Sequence, residues 1–95
     1  MEIFGEDKIR DFASKYPHLR NALHKWIDLV TATEWKHTAD MKRIFGSADK
    51  VGKQTVFNVG GNKCRLIALV NHANQTVIVQ YVLTHPEYDK GNWKS

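Results

Sequence analysis

Ninety-five residues with 42% hydrophobic and 25% charged content suit one compact domain with a modest core, and the chain is too short for two. Fourteen Lys and Arg against ten Asp and Glu leave a net charge of +4, which favours a polyanionic partner without requiring one. The single Cys64 excludes an internal disulfide; no apolar run approaches the length of roughly 18 residues that a membrane-spanning helix needs, and no charged-then-apolar leader is visible, so no membrane partner and a cytoplasmic location are expected.

Met1 to Phe4 suits a short strand at a sheet edge. From Glu6 to Tyr16 the apolar residues Ile9, Phe12, Ala13 and Tyr16 fall at i, i+3, i+4 and i+7, the spacing of an amphipathic helix, with acidic residues in its first turn and Pro17 ending it. A second helical stripe, Leu19, Ala22, Leu23, Trp26, Ile27 and Val30, spans His18 to Thr33 and presents Arg20, Asn21, His24, Lys25 and Asp28 on its opposite face. Thr38 suits an N-cap for a short helix over Ala39 to Phe45, and Trp35 before it reads as a core or staple residue rather than a base-stacking platform. Ala48 to Val51 then suits a strand that turns at Gly52-Lys53-Gln54.

Three β-rich runs come next, Thr55 to Val59, Lys63 to Asn71 and Thr76 to Leu83, separated by Gly60-Gly61 and by the polar loop His72 to Gln75, and they read as an antiparallel meander. A two-residue turn at Gly60-Gly61 would set Val59 opposite Asn62 and Val56 opposite Arg65; the second loop would set Asn71 opposite Thr76 and Arg65 opposite Val82. Phe57, Val59, Cys64, Leu66, Ala68, Val70, Val77, Val79, Tyr81 and Leu83 then share an apolar face for the helices to cover. Val56, Asn58, Lys63, Arg65, Ile67, Leu69, Ile78, Gln80, Val82 and Thr84 share the other. The expected fold class is α+β, an antiparallel sheet with helices packed on one face.

The Arg65 face, with its Lys, Arg, Asn and Gln gathered near His85, has the chemistry of a phosphate-binding surface, and equally that of a solvated sheet face with ordinary charges. His85 comes directly after the last strand and is trailed by Tyr88 and Lys90. Such a set, a proton-transferring His, a bidentate Arg and an ammonium, could cleave RNA without a metal; the alternative for His85 is a turn or capping residue whose ring packs on Tyr88. His18, His24, His37 and His72 have no obvious partner, and no HxxxH, CxxC, HExxH, GxxxxGK[ST] or GxGxxG is present, so neither a metal nor a cofactor is expected. Cys64 reads as a small core residue, with a catalytic thiol as the sharper alternative.

Three segments, Thr33 to Asp40, Val56 to Leu66 and Thr84 to Lys90, together with the helical half, resemble the HigB family of bacterial toxin–antitoxin modules, RelE-like ribosome-dependent mRNA interferases. The resemblance implies a RelE-like fold over residues 1–95, endonucleolytic cleavage of translated mRNA at the ribosome, and neutralisation by a cognate helix-turn-helix, HigA-like antitoxin. It implies Lys63 and Arg65 as phosphate-facing residues, His85 with Tyr88 as the acid/base pair, and Asn62, Lys53, Lys90 and Gln80 as RNA contacts. Two positions depart from the family pattern: Gln80 stands where a Lys or Arg is common, and Cys64 where an aromatic residue usually flanks the arginine. The first removes a positive charge from the active face, so a weakly active or non-catalytic module that binds RNA or antitoxin is the alternative.

Overall fold

The computed structural model describes residues 1–61 and 63–94. Strand β1 (Glu2–Phe4) leads into helix α1 (Glu6–Lys15); a 3-10 turn (Pro17–Leu19) precedes α2 (Arg20–Thr31), and α3 (Thr38–Ile44) precedes β2 (Asp49–Val51), β3 (Gln54–Val59), β4 (Cys64–Asn71), β5 (Thr76–Thr84) and a last short helix, α4 (His85–Asp89). The sheet order is β1-β5-β4-β3-β2. Strands β2 to β5 form the expected antiparallel run, and β1 joins β5 in parallel, so the five-stranded sheet is mixed. No helix among the described residues is long and apolar enough to cross a membrane.

The core lies between the sheet and α1, α2 and α3. Ile9, Phe12 and Ala13 of α1 and Leu23, Trp26 and Val30 of α2 are buried against Phe57, Val59, Cys64, Leu66, Ala68, Val77 and Val79. Trp26, Trp35, Phe45 and Phe57 form its aromatic centre, with ring centroids 5.2 to 6.4 Å apart. Each such pair adds about 0.5–1.5 kcal/mol beyond area burial. Trp35 is therefore a core residue. Helix α3 starts one residue from the expected cap: His37 occupies the N-cap, and its backbone N–H, like that of Lys36, donates to Asp40 Oδ2 at 3.1 Å. His72, which the sequence left without a partner, places Nδ1 2.7 Å from the Trp35 carbonyl; an oxygen acceptor there requires that nitrogen to carry the proton.

Two register features differ from expectation, with opposite consequences. Val59 pairs with Cys64 and Val56 with Ile67, so the β3–β4 link is four residues, Gly60 to Lys63, rather than two. Gly60 and Gly61 both take positive φ, 66° and 71°, and a Cβ on Gly60 would lie 3.0 Å from Leu19 Cδ2. That slip moves the pairing by two residues and leaves every side chain on its expected face.

The second feature is a bulge. Asn71 pairs with Thr76 as expected, but Ala68 pairs with Val79 and Ile67 with Tyr81, leaving Gln80 as the extra residue. Arg65 consequently faces Leu83, not Val82. A one-residue insertion exchanges the two faces for the rest of the strand: Val82 packs against the helix-covered core, whereas Tyr81 is 42% exposed and Leu83 packs against a second cluster. Tyr81 and Leu83 are thus not core-face residues. Beside the bulge, Lys8 Nζ donates to the Val79 carbonyl at 3.4 Å, and a Cβ on Gly5, whose φ is 91°, would fall 2.8 Å from that same oxygen.

The Arg65 face is not left open. Val56, Ile67 and Trp93 are buried on it, with Leu83 and Tyr88 packed against them.

Candidate active site

The site is built where β5 ends. Thr84 caps α4: its Oγ1 accepts from the Glu87 backbone N–H at 3.4 Å, and Glu87 Oε1 accepts from the Thr84 N–H and hydroxyl at 2.9 and 3.0 Å. Thr84-x-x-Glu87 is a capping box, and Pro86 in the first turn has its φ already set for a helix. These bonds favour the charged form of Glu87 and, with Lys15 and Lys90 nearby, hold its carboxyl below the ordinary glutamate range.

Helix α4 turns the chain back across the sheet, and Gly91, with φ of 73°, lets the next residues continue over it. Trp93 drops onto the sheet at 3% exposure and stacks on Tyr88, ring centroids 5.1 Å apart and planes 11° from parallel. Its Nε1–H donates to the Tyr88 carbonyl at 2.9 Å, and its own carbonyl accepts from Gln54 Nε2 at 2.9 Å. Gln54 Nε2 also donates to Gln80 Oε1 at 2.8 Å. Gln80, expected as an RNA contact, thus has its side-chain oxygen engaged by Gln54, the residue that ties the C-terminal segment to the sheet.

Arg65 is 8% exposed, with its guanidinium 5.3 Å from the centre of the Tyr88 ring and Nη1 donating to the Cys64 carbonyl at 3.4 Å. A guanidinium over a ring face is attracted by the ring quadrupole, by up to about 2 kcal/mol when desolvated. His85 stands at the start of α4 with Nδ1 3.0 Å from Asp89 Oδ2, both side chains about half exposed. Histidine and aspartate four residues apart meet on one helical face. Asp89 Oδ2 is an acceptor for an Nδ1–H, which orients the ring and leaves Nε2 on its other side.

Cys64 pairs with Thr84, so the residues just beyond them, Lys63 in the β3–β4 link and His85, occupy the same end of the sheet. Arg65, Tyr88, His85 and Lys63 are thus gathered at one corner, with Lys90 exposed at the end of α4. Lys53 is not among them. It sits in the β2–β3 turn at the opposite end of the sheet, lining a groove with Thr38, Met41, Lys50 and His72. Asn62 lies outside the described residues.

Three residues that contact the expected site residues or the segment covering them were not singled out in the sequence: Asp89, Trp93 and Gln54. Asp89 was signalled by its i+4 spacing from His85 once the capping box is read as a helix start. Trp93 and Gln54, a lone aromatic and a lone amide, carry no such periodic signal.

Cys64 is fully buried on the core face, and desolvation pushes its thiol up to about 12 despite the neighbouring Arg65 charge. The thiolate is the nucleophile, so this side chain has none of the character of a catalytic cysteine. Iodoacetamide at neutral pH is expected to leave Cys64 unmodified in the folded protein and to label it fully in denaturant, as read by intact mass. Rapid labelling without denaturant would contradict this.

The family described as HigB_toxin, RelE-like toxic component of a toxin-antitoxin system, matches residues 19–91. An mRNA interferase HigB of Escherichia coli O6:H1 is 32% identical over 93 residues, 95% of this chain and 90% of the relative. An mRNA interferase toxin HigB of Escherichia coli K12 and an mRNA interferase HigB of Shigella flexneri are each 33% identical over 92 residues, 94% of this chain and 88% of the relative. With a match running through the core helices, the sheet and the His85 to Lys90 corner, the chain belongs to the HigB toxin family, the RelE-like toxic components of toxin–antitoxin systems.

Proposed function

We infer that this chain is a metal-independent endoribonuclease that cuts translated mRNA at the ribosome in the cytoplasm and is restrained by a helix-turn-helix antitoxin of the HigA kind. Its relatives bear the name mRNA interferase. The observation that carries the reading is the corner itself: a guanidinium held under Tyr88, one strand from a helix whose His85 is oriented by Asp89. In the reaction a base takes the ribose 2′-hydroxyl proton, and the 2′-oxygen attacks the adjacent phosphorus. The bond to the 5′-oxygen breaks, and an acid protonates that leaving oxygen. The products are a 2′,3′-cyclic phosphate and a 5′-hydroxyl. His85 and Tyr88 are the acid/base pair, and Arg65 and Lys63 bear the phosphorane charge.

A second reading, a module that binds RNA or antitoxin and cuts poorly, is favoured by the burial of Arg65 and by Gln80, an uncharged amide whose oxygen is occupied by Gln54. Purified protein incubated with translating ribosomes and with free RNA distinguishes the two. Cleavage is expected on the ribosome with cyclic-phosphate ends, and RNA affinity is expected to fall with salt by a log–log slope of about −0.7 per phosphate contacted. Binding with no cut product under either condition supports the second reading, and a salt-independent affinity removes the basic corner as the RNA site.

A further inference from the structure

Beside the Tyr88–Trp93 stack lies a depression of about 220 Å³ lined by Tyr81, Leu83, Glu87, Lys90, Asn92 and Trp93. The β5 bulge creates it. In an uninterrupted strand Tyr81 and Leu83 would point at the helices; the extra residue Gln80 turns both toward the Arg65 side and leaves the Tyr81 ring 42% exposed.

Its chemistry is selective. The walls are aromatic and aliphatic, and the polar lining is one ammonium, one carboxamide and one carboxylate. Glu87 lines the depression with Oε1 committed to the α4 cap and its carboxyl held ionised, so it brings a negative charge and acceptor oxygens to that wall. An ionised carboxylate repels phosphate, which directs the charged part of a nucleotide toward Lys90 and Arg65 and the neutral part inward. The volume is below the range of about 300–1,000 Å³ typical of drug-sized ligands and matches a single flat ring system. Aromatic surface supplies stacking for any base, whereas a carboxylate at the wall favours an exocyclic amino group, with two N–H donors, over uracil, whose single N3–H is flanked by two carbonyl oxygens that the carboxylate repels.

We propose that this depression is a nucleobase subsite that holds one base flanking the scissile linkage and prefers adenine, cytosine or guanine, which carry an amino group, over uracil. The subsite rests on the reading of the chain as an RNA-cutting toxin, and binding and cutting are measured separately so that the two stand or fall apart.

The test compares the wild type with Tyr81→Ala and Glu87→Gln, which keeps the Oε1 acceptor of the α4 cap. Affinity for hexamers of A, C and U is read from the Trp93 Nε1–H NMR signal, and cut positions on translated mRNA are mapped by end sequencing. Tyr81→Ala is expected to weaken A and C hexamer binding roughly tenfold, the loss of one stacked base. Glu87→Gln is expected to flatten the base preference beside the cut without weakening binding of the U hexamer. Wild-type protein that binds A and C over U through Tyr81 but never cuts leaves the subsite standing and removes the nuclease. Protein that cuts with an unaltered base distribution in both variants, or in which both variants fail only to bind antitoxin, overturns the subsite and leaves the nuclease.

Discussion

Cleavage by His85→Ala is expected to fall by about 10²–10⁴-fold, the usual worth of one proton-transferring side chain. The side chain is about half exposed and stands at the first position of a five-residue helix, so folding stability is expected to change by no more than about 0.5 kcal/mol, and lost activity will not reflect lost structure. Asp89→Asn is the graded control. It keeps an acceptor near Nδ1 but removes the charge, and because exposed ion pairs contribute up to about 1 kcal/mol, its effect is expected to be about fivefold. Single-turnover rates on saturating ribosome–mRNA complex separate chemistry from binding: the loss belongs in the rate, not in the half-saturating concentration. If His85→Ala cuts as fast as the parent chain, the acid/base assignment moves to another residue at this corner.

The helical half was legible because period and burial coincide there. Ile9, Phe12 and Ala13, then Leu23, Trp26 and Val30, lie at helical spacing and are the residues the fold buries. The sheet was legible in order and mostly in face, since slipping β3 against β4 by two residues preserves the alternation. The bulge was not. From Thr76 to Thr84 apolar residues occupy both phases of the alternation, so inserting one residue leaves a pattern that reads equally well. Its surroundings are tertiary: it lies just past the point where the β1–β5 pairing stops at Ile78, where Gly5 approaches the Val79 carbonyl closely and Lys8 donates to it.

That Arg65, Lys63, His85 and Tyr88 share one end of the sheet was legible because the β4–β5 hairpin returns the chain from Arg65 to the start of α4. Lys53 was included as an RNA contact on the resemblance, but its turn lies at the other end of the sheet. The Arg65 face looked free because the segment that covers it, Gly91 to Lys94, is too short to show a period. Its one large residue, Trp93, is fixed by a stack on Tyr88 and an amide from Gln54, contacts between positions with no local relation.

Trp93→Ala is accordingly expected to have the largest effect on stability and to disable the site as well. Truncating a buried tryptophan costs about 3–5 kcal/mol where the surroundings cannot collapse; Trp93 packs on a small satellite cluster near the chain end, so the lower figure applies. At about 4–8 °C per kcal/mol for a domain of this size, Tm is expected to drop by about 12–24 °C. The loss propagates because Tyr88 is stacked on the indole and Arg65 lies against Tyr88. Without the indole, Tyr88 gains freedom, Gln54 loses the position of its carbonyl acceptor, and the guanidinium is no longer held against a fixed ring. Trp93→Phe restores the ring stack but not the Nε1–H bond to the Tyr88 carbonyl, so it should recover most of the Tm and, below the transition, most of the cleavage rate. Differential scanning calorimetry alongside single-turnover cleavage at a temperature where both variants are folded checks this. A Trp93→Ala protein that melts like the parent and cuts normally would mean that the C-terminal segment does not brace the arginine, and that Tyr88 is held by α4 alone.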